Sequence, residues 1–203
     1  MPMIEALFAR HGITPAQCDA FAYASGPGSF TGLRVACTLV QGLALGAGRP
    51  VIAVGNLLAL AAGAAAGGDA AVPVRRRVLA AVDARMQQAY VAIVEGAGTD
   101  WQILLPPAVI ATTGLAALAA DWRPDICAGD AGWLGANLSA NVAGVPSCIR
   151  DARVDAGVLA RLALDRLARG AVLGPEAAVP DYVRNDVART VVQRAAALRA
   201  GAA

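Results

Sequence analysis

The stretch YASGPGSFTGLRVA, residues 23–36, places three glycines and a proline within seven positions, between an apolar strand pattern and an apolar helix pattern. Strand, glycine turn and helix together form a geometry that points free backbone N–H groups at an anion. The spacing of Gly26, Gly28 and Gly32 is GxGxxxG, one residue longer than the dinucleotide fingerprint. The acidic residue that fingerprint needs about 20 positions further on is also absent, since the next carboxylate after Gly32 is Asp69. All 17 basic residues are arginine, which removes a phosphate-loop lysine, a Schiff base and a lysine general base. Ser29 and Thr31 are candidate caps for the helix, with the glycines permitting positive φ and close packing of helix on strand. Local chemistry leaves two readings open, an anion site at Gly26, Gly28, Ser29, Thr31 and Gly32 or a structural turn.

Working outward, MPMIEALFARHG predicts a helix with Met3, Ile4, Leu7 and Phe8 on one face, ended by Gly12. AFAYA (20–24) is a strand, and Thr31 to Leu45 a helix apolar nearly all round except for a stripe of Arg34, Thr38 and Gln41. The apolar run 51–68 reads as a strand, Val51 to Val54, followed by a helix that Asn56 can cap; its β-branched start, its Gly55-Asn56 break and its Ala/Gly end argue against a membrane span. The unit is αβαβα with parallel connections. Residues 67–77 are a linker ending in Arg75, Arg76 and Arg77, read as a solvated turn before a strand. The domain boundary falls at 70/71, giving segments 1–70 and 71–203.

The second segment opens as a hairpin, VLAAVDAR and AYVAIVEG joined by Met86, Gln87 and Gln88, with WQILLPPAVI as a third strand interrupted by its prolines. Helix GLAALAADW, strand DICAGD, a Gly-rich turn into WLGANLSA and a short apolar stretch VPSCI follow. Asp155 caps a helix running to Arg169, with Leu159, Leu162 and Leu167 inside and Arg161, Asp165 and Arg169 pairing outside. The tail EAAVPDYVRNDVA is extended or irregular, read as a strap across both segments, with contact of Tyr182, Arg184 and Asn185 with a partner or tRNA as the alternative; the last residues are frayed.

Composition narrows function by exclusion. A net charge of +2 on 16% charged residues offers no basic stripe for nucleic acid. Cys18, Cys37, Cys127 and Cys148 have no CxxC spacing and read as reduced, structural thiols, and His11 is the single histidine, so neither a zinc pair nor a nucleophile-base pair is available. Asp83 and Arg85, at a strand end, are the candidate cleft residues, with a surface ion pair as the alternative.

Three stretches together resemble one family. Residues 22–60 are similar to the GPGSFTGxR signature of the bacterial TsaB family, VLAAVDARMQQAYVAIVE to its IDAR hairpin, and VPDYVRNDVA to its C-terminal PxYxRxxVA segment. The resemblance implies an α/β, actin-like ATPase (ASKHA, RNase H-like) fold of two related lobes, degenerate relative to the catalytic paralogue TsaD, whose metal-holding histidine pair this chain lacks. It implies a non-catalytic subunit of the tRNA threonylcarbamoyladenosine machinery that binds and activates a TsaD-like transferase. A TsaE-like ATPase is the third member, a homodimer the other form of association, and tRNA is met only through the complex. Neither cofactor nor metal is implied beyond weak ATP or ADP binding in the complex, and the place of action is the cytoplasm, away from membranes. By position, the partner interface falls on the first two helices, at Met3, Leu7, Phe8, Leu39 and Leu43.

The family normally begins upstream of the helix with which this chain opens, with a strand bearing an Asp-Thr-Ser-like phosphate motif and a β-meander. The expectation is a first lobe truncated at its N-terminus, with AFAYA left with unpaired edges, apolar helices uncovered and a chain poorly soluble or misfolded on its own. An independent ATPase or small-molecule kinase of the same fold, using the glycine turn and Asp83, is the alternative function.

Overall fold

A computed structural model describes residues 1–66, 74–138 and 149–184. Helix α1 (Pro2–His11) starts on a proline and stops at Gly12, whose left-handed backbone (φ 62°) closes the last turn. Strand β1 (Phe21–Gly26) leads through the glycine turn into α2 (Phe30–Ala47), and β2 (Val51–Gly55) into α3 (Asn56–Ala66). β1 and β2 pair in parallel, as the αβαβα pattern requires. The outer edge of β2 meets Leu173 in an antiparallel bridge. Phe21 turns its N–H to Pro50 O on the β2 side (3.0 Å), so the alternate residues Ala22 and Ala24 face the other edge, which no strand among the described residues covers.

The second sheet has five strands in the order β5-β4-β3-β6-β7, formed by β3 (Arg76–Arg85), β4 (Gln88–Ala97), β5 (Asp100–Ala111), β6 (Ile126–Gly129) and β7 (Ile149–Asp151). β3, β4 and β5 run antiparallel, and β6 and β7 join in parallel to β3 through α4 (Leu115–Trp122) and α5 (Ala131–Leu138). The prolines do not interrupt β5. Val91 pairs with Ala108 and Ile93 with Leu105, so Pro106 and Pro107 fall in a bulge of an edge strand, where a missing N–H breaks no ladder.

Helix α6 (Ala156–Ala168) is capped as expected, Asp155 Oδ1 accepting from Val158 N at 2.9 Å, and the outer Arg169–Asp165 pair forms at 2.9 Å. Val158, Leu162 and Ala163 are its buried residues, with Leu159 and Leu167 partly covered.

Strand periodicity sorts the core into layers. Val78, Ala80, Ala92 and Val94 point from β3 and β4 to α3 and α6, while Leu79, Ala81, Val91 and Ile93 point to the opposite side, with Leu115 of α4 and Leu134 of α5. α3, whose side chains are nearly all Ala and Leu, is buried along Leu57 to Ala62 and packs between the two sheets, in one cluster with Ile52 and Val54 of β2. The order of layers is α2, small sheet, α3 with α6, large sheet, α4 with α5, and the central cluster draws on residues from both sides of position 70.

Two polar expectations shift. Asn56 does not spend its side chain on a cap: its Oδ1 accepts the Gly26 N–H at 3.0 Å, tying the β2–α3 corner to the glycine turn. Arg75 and Arg77 are held in ion pairs at the start of β3, Arg77 Nη2 lying 2.9 Å from Glu95 Oε1 and Arg75 Nη1 3.2 Å from Asp100 Oδ2.

Candidate functional site: a cleft where three motifs meet

The glycine turn, the β3–β4 hairpin and the tail from Asp181 to Arg184 enclose one cleft of about 390 Å³. Its lining includes Gly28, Ser29, Phe30, Asp83, Arg85, Tyr90, Tyr182 and Arg184. The three stretches singled out in the sequence, more than 150 positions apart at their extremes, therefore face each other across a few ångströms of space.

Each wall has a local cause. Ser29 caps α2, its Oγ accepting from Gly32 N at 3.3 Å, whereas Thr31 lies inside the first turn and is exposed. Gly26 has φ 130°, and a Cβ there would sit 2.5 Å from Asp181 O, so glycine is required for the tail to approach the turn. Gly28 and Gly32 have no such backbone neighbour: a Cβ on Gly28 would meet the Asn56 amide at 3.1 Å, and one on Gly32 the Ser29 Cβ at 3.4 Å. In the hairpin, Arg85, Met86 and Gln87 all have φ between 55° and 63°. Side chains other than glycine in the left-handed region cost roughly 1–3 kcal/mol each, so the loop is held there by its surroundings.

The polar groups of the cleft are largely occupied by one another. Asp83 Oδ1 accepts the Arg85 N–H at 2.7 Å and its Oδ2 lies 3.2 Å from Arg85 Nη1, which is the ion-pair alternative for these two residues. Arg184 Nη2 donates to Ala84 O at 2.9 Å and to the Gln88 side chain, and its guanidinium lies 5.8 Å from the Tyr90 ring centre. Tyr182 accepts from Arg34 Nε at 2.9 Å and its ring meets Phe30 at 5.6 Å, while Arg34 lies 3.9 Å over the Phe30 ring. His11 ends α1, exposed and outside the lining. Among the described residues no three His, Cys, Asp or Glu side chains converge as metal ligands would.

The tail is the strap expected from sequence, as far as Arg184; Asn185 lies outside the described residues. Ala178 O accepts from Cys37 Sγ (2.9 Å) and Gln41 Nε2 (2.8 Å), Val179 O accepts from Tyr23 Oη (2.8 Å), and Asp181 N donates to Ser25 O (2.7 Å). Burial pushes the Tyr23 phenol and the Cys37 thiol above their ordinary values; Cys37 raises Tyr23 further, whereas the hydrogen bond with Tyr23 works against the rise at Cys37. Sequence reasoning saw Arg34 and Gln41 as part of a polar stripe but not their use; the signal was the polar interruption of an otherwise apolar helix.

The expected interface residues divide. Phe8 and Leu43 pack on this chain's own cluster around Phe21, Tyr23, Cys37 and Val51, and Leu39 is half-buried, so Phe8 and Leu43 are support rather than free surface. Met3 and Leu7 are 86% and 58% exposed. On α2 the outward side carries Val35 and Leu45, 53% and 75% exposed, with Gly42 and Gly46 between and beside them facing open space.

Five layers with helices between two sheets, and a cleft closed by a glycine turn, a hairpin and a tail, define an α/β protein of the actin-like class. Residues 1–140 match the family model described as TsaD: tRNA N6-adenosine threonylcarbamoyltransferase. The chain is 32% identical over 197 residues to the tRNA threonylcarbamoyladenosine biosynthesis protein TsaB of Escherichia coli, covering 93% of this chain and 80% of that protein. It is 45% identical to the Haemophilus influenzae TsaB over 92 residues, a match spanning 44% of this chain and 36% of that protein. The solved structure of YeaZ from Pseudomonas aeruginosa superposes with a TM-score of 0.74 at 34% identity, covering 89% of this chain and 81% of that one. The chain belongs to the TsaB family.

Proposed function

We propose that this chain is the non-catalytic subunit that binds and holds active a TsaD-type threonylcarbamoyltransferase in tRNA threonylcarbamoyladenosine synthesis. The observation that carries this is the contrast between its two surfaces. In the cleft, Asp83 and Arg184 are engaged within the chain, as are Asn56 and Arg34 outside its lining, through Gly26 and Tyr182. On α1 and α2, Met3, Leu7, Val35 and Leu45 are exposed. Burying such side chains is worth about 1.5–3 kcal/mol each, a free energy that a folded partner can supply. Gly42 and Gly46 belong to the same reading. Each costs about 0.5–1 kcal/mol relative to alanine inside a helix, nothing among the described residues outside the helix approaches them, and a close-crossing partner helix gives them a purpose.

In this reading a TsaE-like ATPase and tRNA join through the complex, a homodimer on the same face is the resting alternative, nucleotide is at most weakly held, and the complex works in the cytoplasm. α2 is long and apolar enough, by length and composition, to cross a membrane; packed over β1 and the strap, it serves here as a layer of the fold.

The test is co-elution of the chain with its cognate TsaD-type protein. Leu45→Arg and Val35→Arg should leave the melting temperature within about 3 °C, since surface changes stay within about 0.5 kcal/mol, yet abolish co-elution. Leu43→Arg should instead unfold the chain by placing a charge in the cluster around Val51. Undiminished co-elution of folded Leu45→Arg and Val35→Arg proteins would refute the interface.

A further inference from the structure

The strap touches two places that a partner-binding subunit has reason to connect. Its middle lies on the N-terminal turn of α2, through the Phe30, Arg34 and Tyr182 contacts, one residue from exposed Val35. Its end holds the hairpin through Arg184, which donates to Ala84 O and Gln88. Ala178 is its one buried apolar anchor; beyond it the strap is exposed at Val179 and Tyr182 and is retained chiefly by hydrogen bonds. Segments held in this way open locally at a lower free energy than the whole fold. The hairpin it restrains is itself strained at Arg85, Met86 and Gln87, so it has somewhere to relax when Arg184 shifts.

We propose that residues 178–184 are a mechanical link between the outer face of α2 and the cleft. A partner seated beside Val35 presses on the Arg34 and Tyr182 contact, the strap carries the displacement, and Arg184 resets the β3–β4 hairpin that forms the far wall of the cleft. This rests on the partner-binding reading above. It differs from simple tethering because it assigns a two-state element, strap docked or strap shifted, that both ends bias.

Hydrogen exchange of the hairpin amides, residues 83–90, tests the link in the full-length chain, alone and saturated with its cognate TsaD-type protein. In the wild-type chain the partner should change hairpin exchange at least fivefold. In Arg184→Ala the partner should still co-elute while the hairpin response falls below twofold, and Arg184→Lys, which keeps charge but not the fork, should give an intermediate response. Tyr182→Ala cuts the same path at its other end and should also silence the hairpin, which keeps the idea testable if Arg184→Ala does not fold. Partner binding without a hairpin response in the wild-type chain, or a full response in Arg184→Ala, would overturn the link alone. Failure of the wild-type chain to bind would overturn the partner reading and the link together.

Discussion

Replacing the three glycines of the signature turn one at a time by alanine separates their roles. At Gly26 the new Cβ would meet a backbone oxygen, Asp181 O, at 2.5 Å, in a backbone conformation (φ 130°) that side chains rarely adopt. The conformational cost is about 1–3 kcal/mol. Moving the strap away sacrifices the Asp181 N to Ser25 O and Tyr23 Oη to Val179 O hydrogen bonds, at about 1 kcal/mol each. The sum, about 3–5 kcal/mol, is a large part of the total stability of a domain this size. At Gly28 the obstacle is the end of the Asn56 side chain, and the cost should be about 1 kcal/mol. At Gly32 the nearest atom is in ordinary contact, so alanine should stabilise the helix by about 0.5–1 kcal/mol. Urea unfolding midpoints of the three variants at one pH give the comparison directly. Equal midpoints for Gly26→Ala and Gly28→Ala would show that the strap does not need Gly26, and would remove the structural account of this turn.

Other substitutions probe separate parts of the structure. Gln87→Gly, at φ 56°, should raise stability by about 0.5–1 kcal/mol, because a hairpin turn with two left-handed residues suits glycine; a lower unfolding midpoint would mean that the glutamine side chain holds the loop. Gly42→Ala should make the isolated chain slightly more stable and weaken its association with the TsaD-type protein, a pair of opposite effects measurable by thermal melting and co-elution; unweakened association would count against a close helix crossing. Stability should also fall on the alkaline side. With the folded values of Tyr23 and Cys37 raised by burial, their protonated forms stabilise the fold fully below the unfolded values, and this contribution is lost as pH rises through the folded ones. Tyr23→Phe with Cys37→Ala should flatten the decline in unfolding midpoint above about pH 9; an unchanged slope would refute the assignment.

Much of the fold could be read because local signals agreed. Gly12 marks a helix end, Asp155 a beginning, and the alternation of β3 and β4 gives both faces of the large sheet. Orientation within α2 was harder. Its composition is apolar almost all round, so the sequence has no contrast by which to tell Leu43, which faces Tyr23 and Val51, from Leu45, which faces outward. Asn56 was misread because a cap and a contact to the next strand use the same atom, and only the parallel pairing of β1 with β2 brings Gly26 within its reach. The prolines of β5 suggested a break because a bulge depends on the partner strand. The cleft residues were present in three motifs, but nothing local says that Tyr182 meets Phe30 or that Arg184 meets Ala84, contacts across 152 and 100 positions that only the completed fold creates.

Helix α3 offers no polar face to either sheet. A pair of strands does not stand alone in water, and β1 with β2 folds against α2 on one face and against α3 with α6 on the other. The two halves of the chain consequently cannot melt independently, and whatever strains the large sheet at Val78 or Ala92 is felt beneath the glycine turn, through Leu57 and Leu58. A helix built almost wholly of alanine and leucine, with α6 beside it, thereby couples the two sheets and sets the spacing between them.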